Sequence, residues 1–321
     1  MRHKTIGKEG LALCMLLMAA MSIMGFLFMF PSTPSENLGL CLPSPNIWPL
    51  NPWTSWGIQT GLLISVAIGT IFLNKHYNFV KSPDPIAAAA FLIMSGSNPW
   101  LTHSLDASSL LLLANMLCIS VLFGCYRQPN STQEFFVVAT IISLGSMVQY
   151  AFLLMIPVYI VVGVLLQTMH FKEVMAFCMG LAAPFWVGIG LGLLPLDSFT
   201  LPEFSIFFAR PVGKDLFVLL INIGLTMLFS LIIGLNALVK LYAGNSRILI
   251  LNNIIAVLGL ASCIGIIVDF NNMTAYLGTF YFAAAFQIAN LFTLWHLPRS
   301  KVVLSIIIIA YTSLFGATFL I

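Results

Sequence analysis

Apolar and polar positions fall along this chain in long blocks rather than in short alternation. The stretches 10–35, 37–74, 85–105, 107–126, 135–171, 174–196, 216–239, 248–268, 270–298 and 302–321 contain no Asp, Glu, Lys or Arg. Full charges stand only at the edges of these blocks. A charge at the centre of a bilayer costs at least ~2.5 kcal/mol, so a chain that crosses lipid repeatedly has to be written this way. The pattern predicts an all-α, polytopic transmembrane helix bundle. Cut at ~20 residues per crossing, the blocks give eleven spans: 10–30, 57–74, 85–98, 107–125, 135–149, 150–168, 174–195, 216–239, 248–268, 273–295 and 302–321.

Two of these spans need an argument. The 85–98 segment is short, which predicts a tilted or re-entrant helix supported by neighbouring protein. The 135–168 region is too long for one ordinary crossing, and a break near Gly145–Tyr150 is expected. A single tilted helix there would reduce the count to ten and reverse every later connector.

Charge then orients the chain. With the N-terminus in the cytoplasm and the C-terminus in the periplasm, the inner connectors hold Arg2, Lys4, Lys8, Lys75, Lys81, Arg127, Lys172, Lys240, Arg247, Arg299 and Lys301. That is eleven of the thirteen basic side chains, leaving only Arg210 and Lys214 outside, and it matches the positive-inside bias. Trp48, Trp53 and Trp56, in the Pro-rich outer segment 31–56, suit the headgroup layer.

Composition narrows the class further. The chain is 60% hydrophobic and 7% charged, against ~25% charged in a soluble domain, so residues 1–321 are expected to form one integral membrane domain. The net charge of +3 sits in short connectors and gives no nucleic-acid signal. The first apolar run, 10–30, exceeds the ~7–15 residues of a signal-peptide core, and an uncleaved first helix is expected. The six cysteines show no metal-binding or CxxC spacing; neither a disulfide framework nor a zinc site is expected.

Candidate chemistry gathers on the outer side, where Glu36, His103, Asp106, Asp197, Glu203, Arg210, Lys214, Asp215 and Asp269 fall. Glu36 and Asp106 are the candidate catalytic acids, since a positioned carboxylate can take a proton from an acceptor hydroxyl. His103, Arg210 and Lys214 are the candidate lipid-phosphate ligands. Each has a plainer alternative: Asp106, followed by Ala107-Ser108-Ser109, also reads as a helix N-cap, and Arg210 and Lys214 can pair with Glu203 and Asp215. No cofactor is expected, with a divalent metal left open. Within the spans, Asn115, Asn236, Asn252, Asn253, Gln287 and Asn290 read as helix–helix hydrogen-bonding groups or as the lining of a neutral pathway.

Two resemblances rest on quoted segments. The run LNKHYNFVKSPDP, then LDASSLLLLANMLCISVLFGCYR, IISLGSMVQYAFLLMIPVYIVVG and FKEVMAFCMGLAAPFWVG resembles an uncharacterised family of multipass bacterial inner-membrane proteins, which implies topology and localisation in that membrane. The same region resembles the membrane half of GT-C glycosyltransferases, a layout that would extend over 1–215 with further helices in 216–321. That resemblance implies transfer of a sugar from a polyprenyl-phosphate donor at the outer leaflet. It sets Glu36 in the place of the first-loop acid and Asp106 in the place of the acid beside a later span. The first loop lacks the Asp-rich signature of those enzymes, and Gln149-Tyr150 stands without a basic residue. Two other functions fit the same sequence: a non-catalytic scaffold or subunit of an envelope complex, and a carrier of lipids or small molecules not coupled through buried charges. Membrane lipids, the polyprenyl-phosphate donor and a membrane-complex partner are the expected contacts; nucleic acid is not.

Overall fold

A computed structural model describes residues 8–29, 38–77, 85–128, 130–194, 199, 214–241, 246–294 and 297–319. Among them there is no strand. The helices are α1 (Lys8–Phe28), α2 (Pro52–Tyr77), α3 (Ile86–Gly96), α4 (Pro99–Thr102), α5 (Ala107–Leu122), α6 (Thr132–Val148), α7 (Met155–Leu165), α8 (Phe171–Gly190), α9 (Lys214–Leu241), α10 (Ser246–Val268), α11 (Thr274–Leu294) and α12 (Leu297–Ala317). Six described segments are long and apolar enough to cross a membrane: Gly10–Phe28, Pro52–Tyr77, Ala107–Cys125, Phe171–Gly190, Leu216–Gly234 and Ser246–Val268.

Helix α11 is the axis of the bundle. It packs against α3, α5, α9 and α10, and every residue from 274 to 290 is buried. A helix that is apolar all round belongs at the centre of a bundle rather than at its lipid face. Small residues allow the close fit: a Cβ placed on Gly278 would lie 3.0 Å from the Ser108 carbonyl oxygen of α5. Polar cross-links then fix the register. Asn115 of α5 donates to Thr279 of α11 at 3.0 Å and accepts from the Tyr159 hydroxyl of α7 at 2.8 Å. Lower in the bundle, Asn290 donates to Asn252 of α10 at 2.6 Å, so α10 and α11 form an antiparallel pair.

The short segment is a broken helix enclosed by protein. All of α3 is buried, and its eleven residues rise only ~16 Å. It stops where Asn98 donates to the Tyr281 hydroxyl at 3.0 Å, well below the start of α11. Asn98 then caps α4 by accepting from the Trp100 amide at 3.1 Å. Irregular backbone at this depth is tolerable only because neighbouring helices surround it.

The long 135–168 region does break. Gln149 is extended between α6 and a 3₁₀ turn at Tyr150–Leu154 that leads into α7. The turn folds tightly, since a Cβ on Gly145 would come within 2.2 Å of the Phe152 ring. Helix α7 returns alongside α6, so that Arg127, just before α6, donates its backbone N–H to Leu166 at 3.2 Å. The Gly-containing run beginning at residue 180 belongs to α8, where Gly180 sits against the Phe136 carbonyl of α6.

Candidate functional site

The two ends of the bundle differ in chemistry. One end collects Lys75, Arg127, Lys172 and Arg247, the Lys and Arg residues whose side chains are described, together with Glu134 and the buried Glu173. Their segments are tied together there: the Tyr77 hydroxyl donates to the Ser120 carbonyl at 2.8 Å, Arg247 lies over the Tyr77 ring, and Arg127 Nε donates to Gln167 at 3.1 Å. The opposite end, where α2, α5 and α11 begin and α1, α6 and α10 finish, carries the carboxylates Asp106 and Asp269.

Asp106 joins the turn after α4 to the first residue of α5. Its Oδ1 accepts from the Ala107 amide at 2.7 Å, which is the capping role the local sequence offers. The turn itself is held by α2: Gln59 donates to the Leu101 carbonyl at 2.6 Å, while its Oε1 accepts from the Ser109 hydroxyl at 2.7 Å and the Asp106 amide at 3.4 Å. Asp106 is 6% exposed. Burial pushes its carboxyl above the usual range, although the Thr274 hydroxyl beside it and the Ala107 amide pull the other way. Thr274 is the first residue of α11, so Asp106 faces that helix N-terminus.

Asp269 faces the same N-terminus from the α10 side. It is fully buried and receives three side-chain hydrogen bonds. The Tyr150 hydroxyl donates to Oδ1 at 3.0 Å; Asn272 Nδ2 and the Tyr276 hydroxyl donate to Oδ2 at 3.2 and 3.3 Å. Gln149 Nε2 extends the network by donating to Asn272 Oδ1 at 3.0 Å. Burial raises the Asp269 carboxyl, and the donated hydrogen bonds only partly offset it. The 3₁₀ turn after α6 joins this cluster to the segment between α1 and α2, since Tyr150 donates its amide to the Leu38 carbonyl at 2.9 Å. Asn272 sits in a glycan-acceptor pattern, Asn-Met-Thr, but it is wholly buried in this network.

His103 lies in the same turn as Asp106, three residues before it, its ring 5.6 Å from that of Phe26. Phe26 also meets Trp53 at 4.6 Å and Trp56 at 5.7 Å, and Trp56 donates to Ser22 at 2.9 Å. Burial lowers the His103 imidazole below its ordinary value. Burial thus disfavours the charged ring, which suits hydrogen bonding better than an ionic grip on phosphate. Of the remaining candidates, Glu36 and Arg210 lie outside the described residues, and Lys214 is the first residue of α9. Helix α9 begins at this same end, for its Asn222 accepts from Tyr281 of α11 at 2.9 Å.

The structure thus brings Asp106 and His103 into one turn and adds an unexpected cluster around Asp269. Tyr150, Tyr276 and Gln149 carry no local motif, and the Asn-Met-Thr pattern at Asn272 gives no hint of this cluster. The one sequence signal is Asp269 itself, the only full charge between the apolar runs 248–268 and 270–298. A buried carboxylate with two phenols can hold a proton, receive one or clamp three helix ends together. Searches against known protein families, curated proteins and solved structures return no match.

Proposed function

We propose that this chain is a multipass protein of a bacterial cytoplasmic membrane, working at the non-cytoplasmic face as a transferase of a polyprenyl-phosphate-linked sugar or head group. The observation that carries the reading is Asp106: a carboxyl raised by burial, at the end of the bundle remote from the described basic side chains. A base with a raised pKa is better matched to proton transfer near neutral pH. In this reading Asp106 takes the proton of the acceptor hydroxyl, Glu36 acts as the second acid, and Arg210 with Lys214 holds the lipid phosphate, with His103 as a neutral donor. The eleven-span count and the cytoplasmic N-terminus belong to the same proposal.

The test uses Asp106→Asn. Asparagine caps a helix about as well as aspartate, so this change spares the structural role and removes the chemical one. Purified protein in liposomes with a polyprenyl-phosphate-hexose donor and an alcohol acceptor should form the glycoside and release free polyprenyl phosphate, and the variant should be ~10²-fold slower or worse. Unchanged turnover in a folded variant, or no turnover by the parent chain, would sink the assignment.

A second reading, a non-catalytic membrane scaffold, is favoured by the Asp269 cluster. There both carboxylate oxygens are occupied by donors from the chain itself, which is what a structural clamp requires. Stoichiometric co-purification with a membrane partner, together with full function of Asp106→Asn, would select it.

A further inference from the structure

Between α9, α10 and α11 lies a cavity of about 200 Å³, larger than the ~150 Å³ apolar cavity that admits a benzene ring. Small residues create it: Gly234 on α9, Ala256 and Gly259 on α10, and Ala283 and Ala284 on α11. Met227, Leu231 and Leu260 also line it and are exposed on the outside of the bundle, so its mouth opens toward the lipid side. It lies deep, because Gln287 is eleven residues beyond Tyr276, or ~16 Å along α11.

Two amides in its wall have atoms with no partner. Gln287 is 3% exposed, and neither its Nε2 nor its Oε1 makes a hydrogen bond. Asn252 is 2% exposed; its Oδ1 is occupied by Asn290, and its Nδ2 has no partner. Leaving such groups unsatisfied costs ordinarily on the order of 1–3 kcal/mol each, and a helix-packing role does not account for them. A Cβ on Gly234 would sit 3.4 Å from Gln287 Oε1, so the glycine keeps the amide oxygen open to the cavity.

We infer that this cavity binds the polar end of a hydrocarbon chain that carries a neutral carbonyl with an adjacent O–H or N–H, the pattern of a protonated carboxylic acid or a carboxamide. The unpartnered amide atoms are one acceptor and two donors, and the Ser230 hydroxyl and Cys263 thiol also line the wall. The ligand's O–H or N–H donates to Gln287 Oε1, and its carbonyl oxygen accepts from Gln287 Nε2 on one lone pair and Asn252 Nδ2 on the other. Glutamine and the ligand form a paired, two-bond contact. Among the described residues no Lys, Arg, His, Asp or Glu lines the cavity, and a charged head group left unpaired there would carry a prohibitive cost. The site does not depend on the transferase reading.

The experiment is photolabelling of the purified full chain in nanodiscs. The probes are a medium-chain fatty acid with a tail diazirine, the matching fatty amide and the matching alkane. At pH 6 the acid and amide should label 227–234, 252–263 and 280–287 about tenfold more than the alkane, equivalent to ~1.4 kcal/mol. At pH 9 the acid signal should fall while the amide signal persists; if only the acid labels at pH 6, the occupant is a fatty acid. Ala256→Leu fills the space and should abolish labelling by all three probes. Gln287→Leu should erase the preference over alkane and also raise the melting temperature of the lipid-stripped protein, since it removes an unsatisfied amide. Equal labelling by the three probes, labelling spread evenly over lipid-facing segments, or a lower melting temperature for Gln287→Leu would overturn the inference.

Discussion

At the basic end of the bundle, the described cations stay at the surface and are lightly held: Arg127 is exposed and touches Gln167, and Arg247 lies over a tyrosine ring, while the buried Glu173 is taken up in capping α8, accepting from the His170 amide at 3.2 Å. At the opposite end, the described charged groups are drawn inward. Asp269 is shut away behind Tyr150, Tyr276 and Asn272, and Asp106 is pressed between the starts of α5 and α11. Exposed cations cost little to place and contribute little to stability. Buried carboxylates are expensive and persist only where specific donors surround them. The contrast is between exposed cations at one end and a buried, hydrogen-bonded polar cluster at the other.

The comparison is broken most severely by Asp269→Ala. It leaves two phenols and an amide aimed at empty space, and should cost at least ~2 kcal/mol, read as a lower unfolding midpoint in detergent. Lys172→Ala at the other end should change stability by less than ~0.5 kcal/mol. Equal effects would mean that the acidic end is no better built than the basic one.

Next in size is the turn that supplies Tyr150. Gly145→Val would drive a side chain into the Phe152 ring, an overpacking cost of ~1–3 kcal/mol. Its signature should be displacement of Tyr150, seen as loss of protection of the Tyr150 and Asp269 amides in hydrogen exchange. Destabilisation spread evenly over all helices would count against a local hinge at this turn.

The smallest expected effect is a pH dependence. The Asp106 and Asp269 carboxyls are both raised above the ordinary value of 3.8, so the folded chain holds these protons more tightly than the unfolded chain. Their stabilising contribution is complete below that ordinary value and is lost as pH rises through the raised folded values. The parent chain should therefore gain stability relative to Asp106→Asn as pH is lowered from 7 toward 4. A gap between the two melting temperatures that is constant over that range contradicts the burial of an ionisable group at this position.

Much of the helical layout was legible in the sequence because lipid imposes a single strong rule on charge, but the limits were not always: α2 starts at Pro52 and takes in Trp53 and Trp56, which were expected in the segment before it. The expected 107–125 segment does become α5 plus a 3₁₀ turn ending at Cys125, and the break in 135–168 falls at Gln149. The Asp106 cap was legible too, from three neighbouring residues. The Asp269 cluster was not. Tyr150 and Asp269 are 119 positions apart, and their meeting depends on how the α6–α7 turn lies across the α10–α11 turn, which no local pattern encodes. Gln287 shows the same limit: sequence alone could not distinguish it from Asn115, yet one is fully hydrogen-bonded and the other faces a cavity.

The central claim is that the basic and acidic ends lie on opposite sides of the membrane. The direct test places single cysteines at exposed positions, Gln128→Cys at the basic end and Leu50→Cys at the acidic end, in a chain freed of its native cysteines. An impermeant maleimide applied to intact cells should label position 50 at once and position 128 only after the membrane is opened. Labelling of both positions from outside, or of position 128 alone, would contradict the account.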